Sequence, residues 1–274
     1  MRLPDFHDPA LRGTRPEEIH VGLSGARVFR LRDGGGRPVA VFKCAPPDRP
    51  DLMRELELEA VRSDWLGGFG LTVPRLLEHG PDDRGRGFRW TVSAHVPGTG
   101  AHEPVAAWEH PRLVEVLAGV ADRIHRSSPG PAMEARTLDG VLERARDRIA
   151  SGLVERSWRG TGRSDTDPAR ALAAVEQLAA RAGRLPETVT HGDFCLPNVL
   201  VTPAGAWGLV DLGKAGPADP HTDLAAMVGS LRNRLNPHFG EADVDRFLDA
   251  YGRKRVDPEL LHLHSEVEAF FWPL

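Results

Sequence analysis

Two acids and a carboxamide are set out in the run His191-Gly-Asp193-Phe-Cys-Leu-Pro-Asn198, answered thirteen residues later by Val210-Asp211-Leu-Gly213. Between apolar, strand-like stretches, that set is what a site needs to hold Mg²⁺ and an attacking hydroxyl around a nucleoside triphosphate. Any one of these residues alone would be read as a turn cap, because short polar side chains hydrogen-bond nearby backbone. Together, at spacings of five and thirteen with His-Gly in front and Leu-Gly behind, they are more specific than a turn requires.

Phosphoryl transfer needs the phosphates held, their charge neutralised and the acceptor hydroxyl aligned. Gly22-Leu-Ser24-Gly25-Ala26, just before a strand-like run, can offer backbone N–H groups to phosphate oxygens; as a lone Gly-Ser turn it reads equally as a hairpin. Lys43 ends an apolar run, where an inward lysine needs an anionic partner and an edge lysine snorkels. Glu59 on the following helical stretch can be that partner, with Glu55 and Glu57 as rivals. There is no Gly-x-x-x-x-Gly-Lys-Ser/Thr run, which argues against a P-loop enzyme. His262 and His264 lie too close in a helix to share a face and are read as surface residues, not zinc ligands.

The elements that must position these groups change character along the chain. Ala26 to Leu31 and Val39 to Cys44 are β-rich and separated by Arg32-Asp-Gly-Gly-Gly-Arg-Pro38, a hairpin composition. Asp51 to Gly67 has a helical pattern, Leu71 to Leu77 is apolar, and Phe88 to Ala94 is a third strand closing at Val96-Pro97-Gly98. Beyond it, Leu113, Val116, Leu117, Val120 and Ile124 share a helical face, as do Val141, Leu142, Ala145, Ile149 and Leu153. Asp167-Pro168 opens a third helix, Leu196 to Val201 and Trp207 to Val210 are short strands, and further helices run from about Asp223. The expected architecture is α+β: a two-lobed, protein-kinase-like fold with a small antiparallel-sheet N-lobe, residues 1–97, that binds nucleotide. A larger, mainly helical C-lobe, residues 98–274, would carry the catalytic and substrate-binding groups.

The 274 residues suffice for two modest lobes. Thirty-five Lys plus Arg against 39 Asp plus Glu give a net charge of -4, so no nucleic-acid partner is expected. Two cysteines, Cys44 and Cys195, no leader-like start and no apolar run long enough for a bilayer lead to the expectation of a cytoplasmic protein with no membrane partner.

Val21 to Leu31, the lysine strand, the Glu59/Trp65 helix, His191 to Asn198 and Asp211-Leu-Gly-Lys-Ala-Gly-Pro-Ala-Asp-Pro-His-Thr-Asp-Leu-Ala225 together resemble the aminoglycoside phosphotransferases, particularly the 3' and 3'' branches. The likeness runs in order from about Val21 to Phe271. It implies Asp193 as the catalytic carboxylate, Asn198 and Asp211 as Mg²⁺ ligands, and Lys43 on the α- and β-phosphates with Glu59 positioning it. It further implies Ser24 and Gly25 over the phosphates, His95 and Val96 beside the base of ATP or GTP, and His191, Asp219 and Asp223 as supports of the catalytic loop. Glu155, Arg156, Arg159, Lys214, Glu268 and Phe271 fall where the family meets its antibiotic substrate.

Three departures concern specificity. Arg156, Arg159 and Arg163 stand where acids that bind polycationic sugars are expected; facing a substrate they would repel a polyamine, and facing solvent they are an ordinary charged loop. Ala269 replaces the second acid of the family's C-terminal pattern, and Trp272-Pro273-Leu274 follow the Phe pair. Val41 shares a strand face with Lys43 where the family often has an aromatic residue. The implied function is transfer of a γ-phosphate to a hydroxyl of an aminoglycoside or other glycosylated or nucleoside antibiotic, conferring resistance. The alternatives are a small-metabolite kinase, choline- or fructosamine-like, and a silent kinase-like binding module.

Overall fold

The computed structural model describes residues 3–19, 26–81, 87–103, 109–129, 133–154, 166–183 and 185–271. In chain order its strands are β1 (Arg15–Ile19), β2 (Arg27–Arg32), β3 (Pro38–Ala45), β4 (Leu76–Pro81), β5 (Arg89–Ala94), β6 (Thr99–Gly100), β7 (Thr188–Thr190), β8 (Val199–Val201), β9 (Trp207–Leu209) and β10 (Gly216–Ala218). Its helices are α1 (Pro50–Gly67), α2 (His110–His125), α3 (Leu138–Ala150), α4 (Pro168–Ala182), α5 (His221–Arg232), α6 (Glu241–Tyr251) and α7 (Pro258–Glu268). Among the described residues no helix is long and apolar enough to cross a membrane.

Packing divides the chain into two compact units. The first comprises Met1–Glu103 and Pro197–Ala215. Its antiparallel sheet has the order β1-β2-β3-β5-β4, with Lys43 of β3 opposite Val28 of β2 and Thr91 of β5. Period-two alternation along β3 buries Ala40, Phe42 and Cys44 while Val41 and Lys43 take the other face. On the buried face Phe42 meets Phe29 edge-on at 6.1 Å and stacks with Trp90 at 6.0 Å, an aromatic layer that fixes the register.

The sequence suggests one cut near Gly98, but Pro197–Ala215 packs with the first unit because β8 pairs with β6 and β9 with β8. The Leu209 amide also donates to the Thr72 carbonyl at 2.9 Å. Of the apolar stretch Leu71 to Leu77 only the end enters a strand, β4 beginning at Leu76, while the Thr72 carbonyl is taken by residue 209. β1 is a further difference. Its Arg-Pro-Glu-Glu-Ile sequence is exposed along nearly its whole length, as suits a charged edge strand, so it carries no apolar alternation to read.

The second unit comprises Pro104–Leu196 and Gly216–Leu274. α2 buries Leu113, Val114, Leu117, Val120, Ala121 and Ile124, packing on α6 and β7. Burying each of the Leu, Val and Ile side chains stabilises by roughly 1.5–3 kcal/mol. α3, α4 and α7 share a second core of Val141, Leu142, Leu172, Val175, Leu263 and Phe270. Thr137, Asp167 and Asp257 cap α3, α4 and α7 by accepting from first-turn amides.

Candidate active site

In the first unit, the β8–β9 hairpin decides where two of the predicted ligands stand. Val199 pairs with Leu209, and one step further out the Val210 amide donates to the Asn198 carbonyl at 3.0 Å. Asn198 and Asp211 therefore emerge at the same end of one hairpin. Asp211 has φ +63°, the left-handed region, and among described residues it is the non-glycine residue that adopts it. A strained backbone of this kind persists only where surrounding structure over-determines it.

Lys43 joins that end to α1. Its Nζ donates to Glu59 Oε1 at 2.7 Å and to Asp211 Oδ1 at 3.0 Å. Burial alone would pull its pKa down, but Asp211 and Glu59 outweigh that and hold it above the ordinary lysine value. Of the rival acids, Glu57 faces Arg89 at 3.5 Å instead. Arg62 of α1 donates to the Gly213 carbonyl, and a side chain at Gly213 would meet the Glu55 carbonyl at 3.3 Å, so the segment after Asp211 lies flush on α1. Arg62 carries no signal in the sequence that would have marked it.

The His95 amide donates to the Val39 carbonyl at 3.1 Å, so a base placed here would meet the His95 carbonyl or Val96 and not that N–H. Lys214 is half-buried. Ser24 and Gly25, like Glu155, Arg156, Arg159 and Arg163, lie outside the described residues.

In the second unit, Asp193 follows β7 and is buried. The turn before it is held from two sides. Asp223, at the start of α5, accepts the His191 amide at 2.7 Å and the Gly192 amide at 2.8 Å. Arg136 donates to the Gly192 carbonyl at 2.8 Å. His191 accepts the Asp193 amide through Nδ1 at 3.3 Å. Burial would raise the pKa of Asp223, but the hydrogen bond from His125 prevails and keeps it below the ordinary carboxylate range. Asp219 follows the same logic, its burial outweighed by His221, whose Nδ1 lies 2.6 Å away.

Glu268 is buried and lines a cleft with Arg136, Asp219 and His264. His264 is the clear correction to the sequence reading: it is buried, 3.2 Å from the Thr222 hydroxyl and 3.5 Å from Asp219 Oδ2, while His262 is exposed. Phe271 packs on the helical core with Arg148 over its ring at 5.5 Å, Phe270 is fully buried, and Trp272 to Leu274 lie outside the described residues.

A model of the phosphotransferase enzyme family matches residues 17–262. The aminoglycoside 3'-phosphotransferase of Streptomyces fradiae is 34% identical over 96% of this chain and 99% of its own length. The crystal structure of an aminoglycoside-3'-phosphotransferase of type VIII superposes with a TM-score of 0.79 at 32% identity, covering 93% of this chain and 94% of that one. An aminoglycoside phosphotransferase, APH(3'')-Id of Streptomyces rimosus, in complex with ADP and streptomycin, gives a TM-score of 0.72 at 26% identity, covering 94% of this chain and 92% of that one.

Proposed function

This chain belongs to the aminoglycoside phosphotransferase family, and we propose that it moves the γ-phosphate of ATP or GTP to a hydroxyl of an aminoglycoside. The observation that carries this reading is the Lys43 ammonium bonded to both Glu59 and Asp211, with Asn198 at the same hairpin end as Asp211. That is a charge pattern made for a triphosphate: one held cation for the phosphate oxygens and an oxygen-donor pair for a hard metal ion.

Asn198 and Asp211 fit Mg²⁺, since their donors are an amide and a carboxylate oxygen and the Asp211 side chain is 54% exposed. Bound there, Mg²⁺ would neutralise phosphate charge. Lys43, held by Glu59, orients the phosphates. Asp193 accepts a hydrogen bond from the acceptor hydroxyl and aligns its oxygen on the γ-phosphorus; as the new P–O bond forms and the bond to the departing nucleoside diphosphate breaks, the hydroxyl proton passes to the Asp193 carboxylate and from there to solvent. His191, Asp223 and Arg136 keep the Asp193 turn from relaxing.

The acceptor class rests on the relatives, which favour an antibiotic over a small metabolite and an enzyme over a silent module. Glu268 offers one acid for a substrate amine. The test is a panel of kanamycin-type, neomycin-type, streptomycin-type and nucleoside antibiotics, incubated with Mg²⁺ and ATP or GTP and read by mass gain of one phosphate. Gain on an aminoglycoside supports the reading, and gain on nucleoside antibiotics alone, or on none, overturns it.

A further inference from the structure

Tyr251 is the single tyrosine of the chain, and nothing in the reaction above uses it. It is buried at the last turn of α6, where Gly252, with φ +106°, ends the helix. Its hydroxyl lies 2.9 Å from His125 Nδ1 on α2. On the other side of the same ring, His125 Nε2 lies 3.1 Å from Asp223 Oδ2, and that carboxylate accepts the His191 and Gly192 amides. We propose that Tyr251 is a positioning residue for phosphoryl transfer, acting through His125 and Asp223 to hold the His191-Gly-Asp193 turn. The proposal rests on the reading of Asp193 given above.

The direction of each hydrogen bond follows from what each group can do. Asp223, kept ionised, can only accept, so His125 Nε2 must carry a hydrogen. A hydrogen on Nε2 leaves Nδ1 facing the Tyr251 hydroxyl, which can donate as well as accept and so satisfies it. Burial pushes the Tyr251 phenol up to about 12, so it keeps that proton. Tyr251 thereby anchors the far side of the His125 ring, and Asp223 accepts from three donors at once. The charged neighbours are accounted for: Arg255 lies over the Tyr251 ring at 4.3 Å and pairs with Asp122 at 2.8 Å. Plain core filling would ask only for the ring, which meets His125 edge-on at 5.6 Å, and phenylalanine would supply it.

Tyr251→Phe in the full chain separates the two roles. Without the hydroxyl, Nδ1 is left unsatisfied and the His125 ring loses its second anchor. Hydrogen exchange of the His191 and Gly192 amides, followed by mass spectrometry on peptides spanning residues 189–194, should quicken by about 3- to 10-fold, the worth of one neutral hydrogen bond. With the acceptor found above, kcat should fall by the same factor while KM for nucleotide and acceptor stays within about twofold. Unchanged exchange overturns the proposal, as does quicker exchange with unchanged kcat. If the wild-type chain phosphorylates nothing, the functional reading fails and the exchange result alone decides whether Tyr251 holds the turn. Should Tyr251→Phe not fold, His125→Gln, which keeps a donor toward Asp223, must retain slow exchange. In addition, the wild-type chain with ¹³C-labelled tyrosine must show its one ring resonance ionising above the ordinary phenol value of about 10; ionisation at the ordinary value refutes the assignment.

Discussion

Lys43 on β3 and Asp211 beyond β9, 168 positions apart in sequence, meet through a hydrogen bond of 3.0 Å. The lysine strand and the Asp-Leu-Gly segment are thereby parts of one charge arrangement within the first unit, with Glu59 as its third member at 2.7 Å.

Lys43→Met should therefore remove the cation while leaving Glu59 and Asp211 in place. Loss of a charged hydrogen bond of about 1.5–3 kcal/mol predicts a drop of roughly 10- to 150-fold in kcat/KM for the nucleotide. Steady-state kinetics with the nucleotide varied checks this; a change under about threefold would show that Lys43 does not touch the phosphates.

Asp193→Asn keeps the size of a buried side chain and removes its charge. Turnover should fall by about 10²–10⁴-fold, as for a positioned general base, while thermal unfolding stays within a few degrees of wild type. Comparable turnover in the variant would mean that the acceptor hydroxyl is aligned by another group.

Asp211→Asn tests the strained ligand. Asparagine tolerates the left-handed backbone nearly as well as aspartate, so folding should survive, with circular dichroism unchanged. Turnover should fall by at least about 10²-fold and respond to Mg²⁺ only at raised concentration. A Mg²⁺ titration identical to wild type would remove Asp211 from the metal site.

Asp219 gives a pH prediction whose sign is fixed by its depressed folded pKa. Its contribution to stability is present above the unfolded carboxylate value, about 3.9, and is lost as pH falls through the folded value. At pH 7, Asp219→Asn should cost about 1.5–3 kcal/mol, the loss of a charge-assisted acceptor for His221. Below about pH 4 the difference should narrow. Urea unfolding of both proteins at pH 7 and at about pH 3 checks this, and a gap that widens on acidification would contradict the assignment.

What the sequence could show of the candidate site is what is local: Asn198 and Asp211 stand at one end of the β8–β9 hairpin, and the Lys43/Glu59 pair joins a strand to the helix that follows. The helices were legible from their apolar spacing, and α2 begins three residues before its first predicted apolar position, Leu113, and ends one residue beyond its last, Ile124. The supports were hidden because each joins residues far apart in sequence. His125 is separated by 98 positions from Asp223 and by 126 from Tyr251, and no periodicity reports such a pairing. A histidine among Leu117, Val120, Ala121 and Ile124 was nevertheless a signal, since a buried imidazole needs partners. His264 was misread for a related reason: spacing excluded a shared zinc site with His262, but could not say that one of the two turns inward to Thr222.

The discontinuous make-up of the first unit has a consequence during synthesis. When the ribosome has delivered Glu103, β6 still lacks β8, and Thr72 lacks the Leu209 amide. Some hundred residues of the second unit must emerge first. At about 5–20 residues per second that is a wait of roughly five to twenty seconds with an unfinished edge exposed. A fragment ending at residue 103 should accordingly be more prone to aggregate than the full chain, and the first unit should mature only after Pro197–Ala215 has left the ribosome.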